Sequence, residues 1–297
     1  MASFQLPLVG AGGEPISFVR TIFSHGLPFL PPGHIDEERR IYDLSVRIGE
    51  RVRQLRFTSN DGRLAVELDG RTSKADLGAA ERITRRVFRL DQDLAPFYAM
   101  IANDPRLSWA IGAGRLIASP TVFEDAIKTI CTTNTTWAGT RRMIGALVEL
   151  GEGAFPDAGL VAGTPERWFK DVARMGYRGP YVKAIAKEVR AGRLDLESFL
   201  PHRLDEEEAR EEAVEDALRE LPGVGPYAAA HIMQLLGYHH RLILDSATRP
   251  KYLALMKKKR ASDKSIVRAF KGYGPYAGLA FWLFITRDWI EDVPFER

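Results

Sequence analysis

The chain has 297 residues, 45% of them hydrophobic and 27% charged, the proportions of a globular protein long enough for two domains or for one with a sizeable appendage. One cysteine, Cys131, excludes an intramolecular disulfide and a four-cysteine cluster, and no run of about 18 uncharged apolar residues offers a membrane span. The net charge of +3 decides little, but its distribution favours a polyanionic partner: Arg82, Arg85, Arg86 and Arg89 recur in one segment and Lys257–Arg260 is a run of four cations, although a solvated helix face explains either run equally well.

The first ninety residues read as β-rich. Residues 1–13 lack the basic start and apolar core of a signal peptide, so cytoplasmic residence is expected, nucleoid-associated in a bacterium. Gly26–Gly33, with Pro28, Pro31 and Pro32, is a loop that cannot sit inside a sheet. Ile41–Ile48 alternates imperfectly, and Val52–Phe57 and Leu64–Leu68 flank Asn60-Asp61-Gly62, a strong hairpin signal. After Lys74 the period becomes helical. Helices are expected over Ala75–Leu90, Asp93–Ile101, Pro120–Cys131, Thr140–Leu150, Pro165–Arg174, Pro180–Ala191, Glu206–Glu220, Pro226–Gly237, Ser265–Phe270 and Tyr276–Ile285, several with proline near the start. Cys131 falls in an apolar helical stretch, where packing is its expected role. The class is therefore α+β: an N-terminal antiparallel β-rich domain over residues 1–92 and a mainly helical core over residues 93–297.

Leu221-Pro222-Gly223-Val224-Gly225 joins an acidic helix to an apolar one. Two glycines around one apolar residue permit a tight turn whose N–H groups point outward, and Pro226 then starts a helix, so free donors collect at a positive helix end suited to phosphate. Val224 is the expected hydrophobic pin. A plain helix–helix turn would need no more than Gly-x-Gly; the longer pattern through Ala230 favours a hairpin, over about residues 210–237, that holds phosphates without reading sequence. Beyond it, Leu242-Ile243-Leu244 leads to Asp245. A carboxylate after three apolar residues, beside a phosphate grip, can stabilise a sugar cation and orient water. As a plain alternative, or in addition, Asp245 caps the next helix, which Pro250 pushes to a later start. His239-His240 suits phosphate contact or exposure better than a metal, since neighbouring side chains diverge and no cysteine stands at ligand spacing.

Hairpin plus downstream aspartate resembles the helix-hairpin-helix, Gly/Pro-rich loop, Asp (HhH-GPD) superfamily of DNA glycosylases. Ser119–Asn134, Gly176-Tyr177-Arg178 with Tyr181-Val182, and Tyr273–Ala280 are similar to motifs of its 8-oxoguanine branch, while the β-rich start also fits the 3-methyladenine glycosylase II branch. The resemblance spans about residues 115–288. It implies that Asp245 is catalytic and that Gly223, Val224 and Gly225 hold phosphate, with a structural monovalent cation in many relatives and no other cofactor. It implies that Asn134 enters the gap left by an extruded nucleotide, that Tyr177 wedges beside the orphaned base, and that Arg178 donates to that base, cytosine being the best fit.

The departures concern chemistry. Tyr227 stands where lyase-competent relatives carry a nucleophilic lysine, so water alone is expected to displace the base and the strand to stay uncut. Lys251, past Asp245, is not expected to substitute. By the match, His231, Phe281 and Ile285 replace the residues that grip 8-oxoguanine. Tyr227, His231 and Phe281, with Trp282 as either a fourth wall or a core residue, suggest an aromatic pocket for cationic alkylated purines such as 3-methyladenine or 7-methylguanine. Two alternatives stay open: a glycosylase for an oxidised or deaminated purine such as 8-oxoguanine opposite cytosine, and a damage-binding protein without turnover. The expected partner is double-stranded DNA with a damaged base, bound by a monomer, with no membrane and no catalytic metal.

Overall fold

The computed structural model describes residues 2–201 and 207–290. Strand β1 (Ala2–Pro7), helix α1 (Phe18–Ile22) and strands β2 (Gly33–Asp36), β3 (Ile41–Ile48), β4 (Arg51–Asn60) and β5 (Arg63–Leu68) come first. The strands form one antiparallel sheet in the order β1-β5-β4-β3-β2. Positive φ at Asp61 (48°) and Gly62 (68°) closes the β4–β5 hairpin in the sense that matches strand twist. In β3 every second residue, Tyr42, Leu44, Val46 and Ile48, is buried, while Asp43 on the outer face pairs with Arg56 at 2.8 Å across the ladder.

Helix α2 (Lys74–Val87) opens on a reciprocal cap in which the Ser73 hydroxyl accepts from Asp76 N–H and the Asp76 carboxylate accepts from Ser73 N–H. It closes the sheet's inner face, where Phe88 meets Phe57 and Phe18 with centroids at 5.0 and 5.7 Å. Two of the arginines expected as a surface patch turn inward instead. Arg86 donates to Asp125 at 3.0 Å and to Ser119 O at 3.1 Å. Arg89 donates to the carbonyls of Gln234 and Leu235, and Arg85 pairs with Asp91.

The remainder is helical: α3 (Ala95–Ile101), α4 (Val122–Thr132), α5 (Trp137–Leu150), α6 (Ala158–Gly163), α7 (Glu166–Asp171), α8 (Arg178–Arg190), α9 (Glu207–Arg219), α10 (Pro226–Leu236), α11 (Thr248–Leu255), α12 (Asp263–Phe270), α13 (Ala277–Ile285) and α14 (Arg287–Ile290). Helix α10 is buried at every residue from Ala228 to Leu236, so it must lie at the centre, packed on α4. Cys131 is fully buried in α4, and burial pushes its thiol up to about 12. Arg89 sits at the C-terminal end of α10, where carbonyls lack helical partners and the helix dipole favours a cation. Among the described residues no helix is long and apolar enough to cross a membrane.

Candidate active site

The hairpin forms where the sequence placed it. Gly223 has φ 84°, and a Cβ there would lie 2.6 Å from the Tyr181 ring, so both backbone and packing demand glycine. Val224 is buried between the two helices at 6% exposure and its N–H donates to Leu221 O at 3.1 Å. The first helical bond of α10 runs from Ala229 N–H to Gly225 O at 2.9 Å. The N–H groups of Gly223, Gly225, Tyr227 and Ala228 consequently have no backbone partner among the described residues, at the positive end of an 11-residue helix.

After Gly237 the chain is clamped between α10 and α13. His239 O accepts from Gly278 N–H at 2.7 Å and from Leu279 N–H at 3.1 Å, and Arg241 O accepts from Gln234 Nε2 at 3.0 Å. A Cβ on Gly278 would lie 2.1 Å from Arg241 O, so this close approach needs glycine. Ile243 is buried, and the clamp delivers Asp245 to the end of the run. The capping role expected of Asp245 is present. Its Oδ1 accepts from Ala247 and Thr248 N–H at 2.8 and 2.6 Å, capping α11, while Oδ2 has no partner among the described residues. Pro250 falls in the first turn of α11, where its missing N–H is not needed.

Asp245 stands between two hollows. One, of about 450 Å³, is walled by His25, Trp137, Tyr227, His231, Trp282 and Ile285. The other, of about 480 Å³, runs past Asn134, Tyr177, Gly223, Gly225 and Arg249. Thr132, Thr135, Tyr227, Asp245 and Ser246 line both, so the groove past the hairpin and the aromatic chamber adjoin at the carboxylate. Tyr227 is half-buried; its hydroxyl lies 3.4 Å from Thr132 Oγ1 and 3.5 Å from His231 Nδ1. Burial pushes its phenol up, and the nearby Asp245 carboxylate adds to that. The chamber histidines are held neutral. Burial brings His231 down to about 4 and His25 to about 3. His25 is satisfied on both nitrogens, accepting from Leu27 N–H at 3.3 Å and donating to Ile117 O at 2.8 Å, whereas His231 Nε2 is buried without a partner among the described residues.

The two residues expected to act as the wedge meet at the groove's other rim. Asn134, at φ 46°, donates from Nδ2 to the Tyr177 hydroxyl at 3.3 Å, and Tyr177 is half-exposed. Tyr181 links wedge to hairpin, its ring 5.9 Å from that of Tyr177 and against Gly223.

Three expectations need correction. Phe281 is fully buried and walls neither hollow; it packs on Phe270 at 5.3 Å and Tyr252 at 6.2 Å. Its neighbour Trp282 faces the chamber instead, one position round α13, with its indole N–H on Ser24 O at 2.9 Å. Arg178 is not a free reader of an orphaned base. It is buried, stacked 4.5 Å from the Tyr177 ring, and donates to the carbonyls of Thr133, Asn134 and Met175, so it holds the Asn134 loop. His239 is buried and stacked on Tyr276, unavailable to phosphate, while His240 is exposed. Among the described residues no cluster of three potential metal ligands exists.

Sequence reasoning also missed wall residues. His25 and Gly26 come from the N-terminal loop, and the edge of Trp137 lies 3.0 Å from where a Gly26 Cβ would stand. Lys251 lines the chamber too, its Nζ on Asp288 at 2.7 Å and 4.4 Å from the Trp289 ring centre. None of these had a motif around it.

No family model matches the chain, and no curated protein sequence matches it. Solved structures define the class: the chain has the fold of the helix-hairpin-helix DNA glycosylases. In particular, it is similar to the 3-methyladenine DNA glycosylase from Archaeoglobus fulgidus, with a TM-score of 0.71 at 16% identity over 96% of this chain and 98% of that one. MBOgg1 in complex with a low-affinity DNA ligand gives 0.69 at 18% identity, over 97% and 99%. The 8-oxoguanine glycosylase/lyase of Clostridium acetobutylicum, in complex with double-stranded DNA containing cytosine opposite 8-oxoguanine, gives 0.65 at 18% identity, over 89% and 92%.

Proposed function

We propose that the chain is a monofunctional DNA glycosylase that hydrolyses the N-glycosidic bond of a flipped, alkylated purine of the 3-methyladenine or 7-methylguanine kind. The observation that carries this is Asp245, with one carboxylate oxygen unpartnered, at the mouth of an aromatic chamber whose histidines are neutral. Such a carboxylate stabilises the oxocarbenium-like sugar and orients the attacking water as the base leaves. An unmodified purine needs a proton to depart. An N-alkylated one is already cationic and leaves neutral, so a chamber whose histidines supply no acid selects for it. The same positive charge is attracted to the faces of Trp137, Trp282 and Tyr227.

Tyr227 in the lysine position supports hydrolysis without strand cleavage, because a phenol forms no Schiff base. Asn134 and Tyr177 support base extrusion, as the pair that fills the gap. A monovalent cation at the hairpin belongs to the same reading, since the Pro222 and Val224 carbonyls accept no backbone hydrogen bond among the described residues and supply oxygen donors.

Duplexes carrying single lesions, assayed with and without alkali, provide the test. Release of 3-methyladenine or 7-methylguanine is expected, with the strand intact until alkali is added. Excision of 8-oxoguanine opposite cytosine alone would select the other substrate class. Tight binding to an abasic analogue with no excision would make the chain a damage sensor. Borohydride trapping of a covalent complex, lost in Lys251→Ala, would overturn the monofunctional reading.

A further inference from the structure

The chain's basic excess is concentrated in one stretch. Residues 249–271 hold nine cations and one acid, Asp263, while the whole chain holds 42 cations and 39 acids, so acids outnumber cations in the remainder. Two of the nine are committed: Arg249 to Asp263 at 2.8 and 2.9 Å, and Lys251 to Asp288 at 2.7 Å. The other seven, Lys257–Arg260, Lys264, Arg268 and Lys271, are exposed, and none of their side chains has a hydrogen-bond or ion-pair partner among the described residues. Lys264, Arg268 and Lys271 are spaced to share one helical face, opposite the buried Ile266 and Phe270.

This surface begins at the groove. Arg249 lines the hollow that holds Asp245 and Gly223, and its pair with Asp263 fastens the first turn of α12 to that wall. The hairpin offers no such charge. Its grip is made of neutral N–H groups, and residues 207–220, which lead into it, carry seven acids and two cations. Long-range attraction of a polyanion must therefore come from elsewhere on the protein, and unpaired surface cations beside the groove supply it.

We infer that the α11–α12 loop and the outer face of α12 form a second, sequence-independent binding surface for the phosphate backbone of duplex DNA, engaged beyond the flipped nucleotide. This surface supplies most of the salt-dependent part of binding, and the hairpin supplies position. The inference rests on the glycosylase reading.

The test uses the full chain with two variants: Lys257, Lys258, Lys259 and Arg260 all changed to Ala, and separately Lys264, Arg268 and Lys271 changed to Ala. Dissociation constants for a duplex of about 25 base pairs with a central abasic analogue are measured across a salt series, beside single-turnover excision at saturating protein. Each lost phosphate contact lowers the slope of log Kd against log salt by about 0.9, so the quadruple variant should lose roughly 2–4 from the slope and bind about 10- to 100-fold more weakly near 0.1 M salt. Excision at saturation should be unchanged. A duplex trimmed to the groove should bind both variants and wild type alike. Unchanged slopes in both variants, with wild type bound tightly, would overturn the inference and leave the glycosylase reading standing. Failure of wild type to bind any duplex would overturn both.

Discussion

Asp245 caps α11 through one oxygen and, in the proposed function, acts on the sugar through the other, and two substitutions separate these duties. Asn keeps the helix cap and removes the charge, so Asp245→Asn should melt within a degree or two of wild type while excision falls roughly 100-fold or more. Asp245→Ala removes both and should also lose about 1 kcal/mol of stability. Single-turnover rates and thermal melts on the pair check this; an Asn variant as fast as wild type would remove Asp245 from the chemistry. The chamber wall is tested the same way. Trp137 is 44% exposed, so Trp137→Ala should leave stability nearly unchanged and lower kcat/KM by roughly 5- to 100-fold through lost stacking. Phe281→Ala should cost about 3–5 kcal/mol, yet Phe281→Leu should keep the lesion profile of wild type, since Phe281 does not face the chamber. Asp245, Tyr227 and His231 were legible because each stands at a fixed offset from the hairpin. Phe281 and Trp282 were not separable: α13 is apolar on all sides, and no periodicity says which of two adjacent rings faces a void.

The hairpin is specified by glycine at one point above others. Gly223→Ala must place a Cβ at φ 84° and 2.6 Å from the Tyr181 ring, and should destabilise by about 1–3 kcal/mol. Because Tyr181 also touches Tyr177, the same change should weaken binding to an abasic-site duplex more than it slows excision at saturation. Equal Kd values for variant and wild type would show that hairpin and wedge are not coupled. Gly223–Gly225 and the Asp61-Gly62 turn were legible because a positive φ or a tight turn leaves a local mark in composition. The role of Arg178 was not, because it rests on the Thr133 and Asn134 carbonyls, 45 and 44 residues away, which no residue type announces. Short elements failed for a related reason: α1 and α6, of five and six residues, are too short to show a period, and β1 pairs with β5, far along the chain.

At the scale of the molecule, buried histidines set the response to acid. His25 at about 3, His231 at about 4 and His239, well below its ordinary value, are all lowered by burial. Near pH 6 they bind protons only when unfolded, so the unfolded state gains protons first and stability falls as the pH drops from about 6.5 toward 4. Asp125, raised to about 6 by burial, opposes them: its contribution is present when protonated and is lost as the pH rises through 6. Three groups against one should lower stability by several kcal/mol by about pH 4, visible as a falling melting temperature. A flat profile between pH 6.5 and 4 would show that the histidines are solvated.

One wall of the chamber comes from His25 and Gly26, between the first two strands of the sheet, while Asp245, the hairpin turn, Asn134 and Tyr177 all come from the helical region more than a hundred residues later. Under the glycosylase reading, selection can therefore act on which base is accepted through a segment remote in sequence from the reacting carboxylate. Lineages with this fold would be expected to diverge in lesion preference through substitutions at Gly26, since its neighbour His25 is buried and tied to Ile117 O.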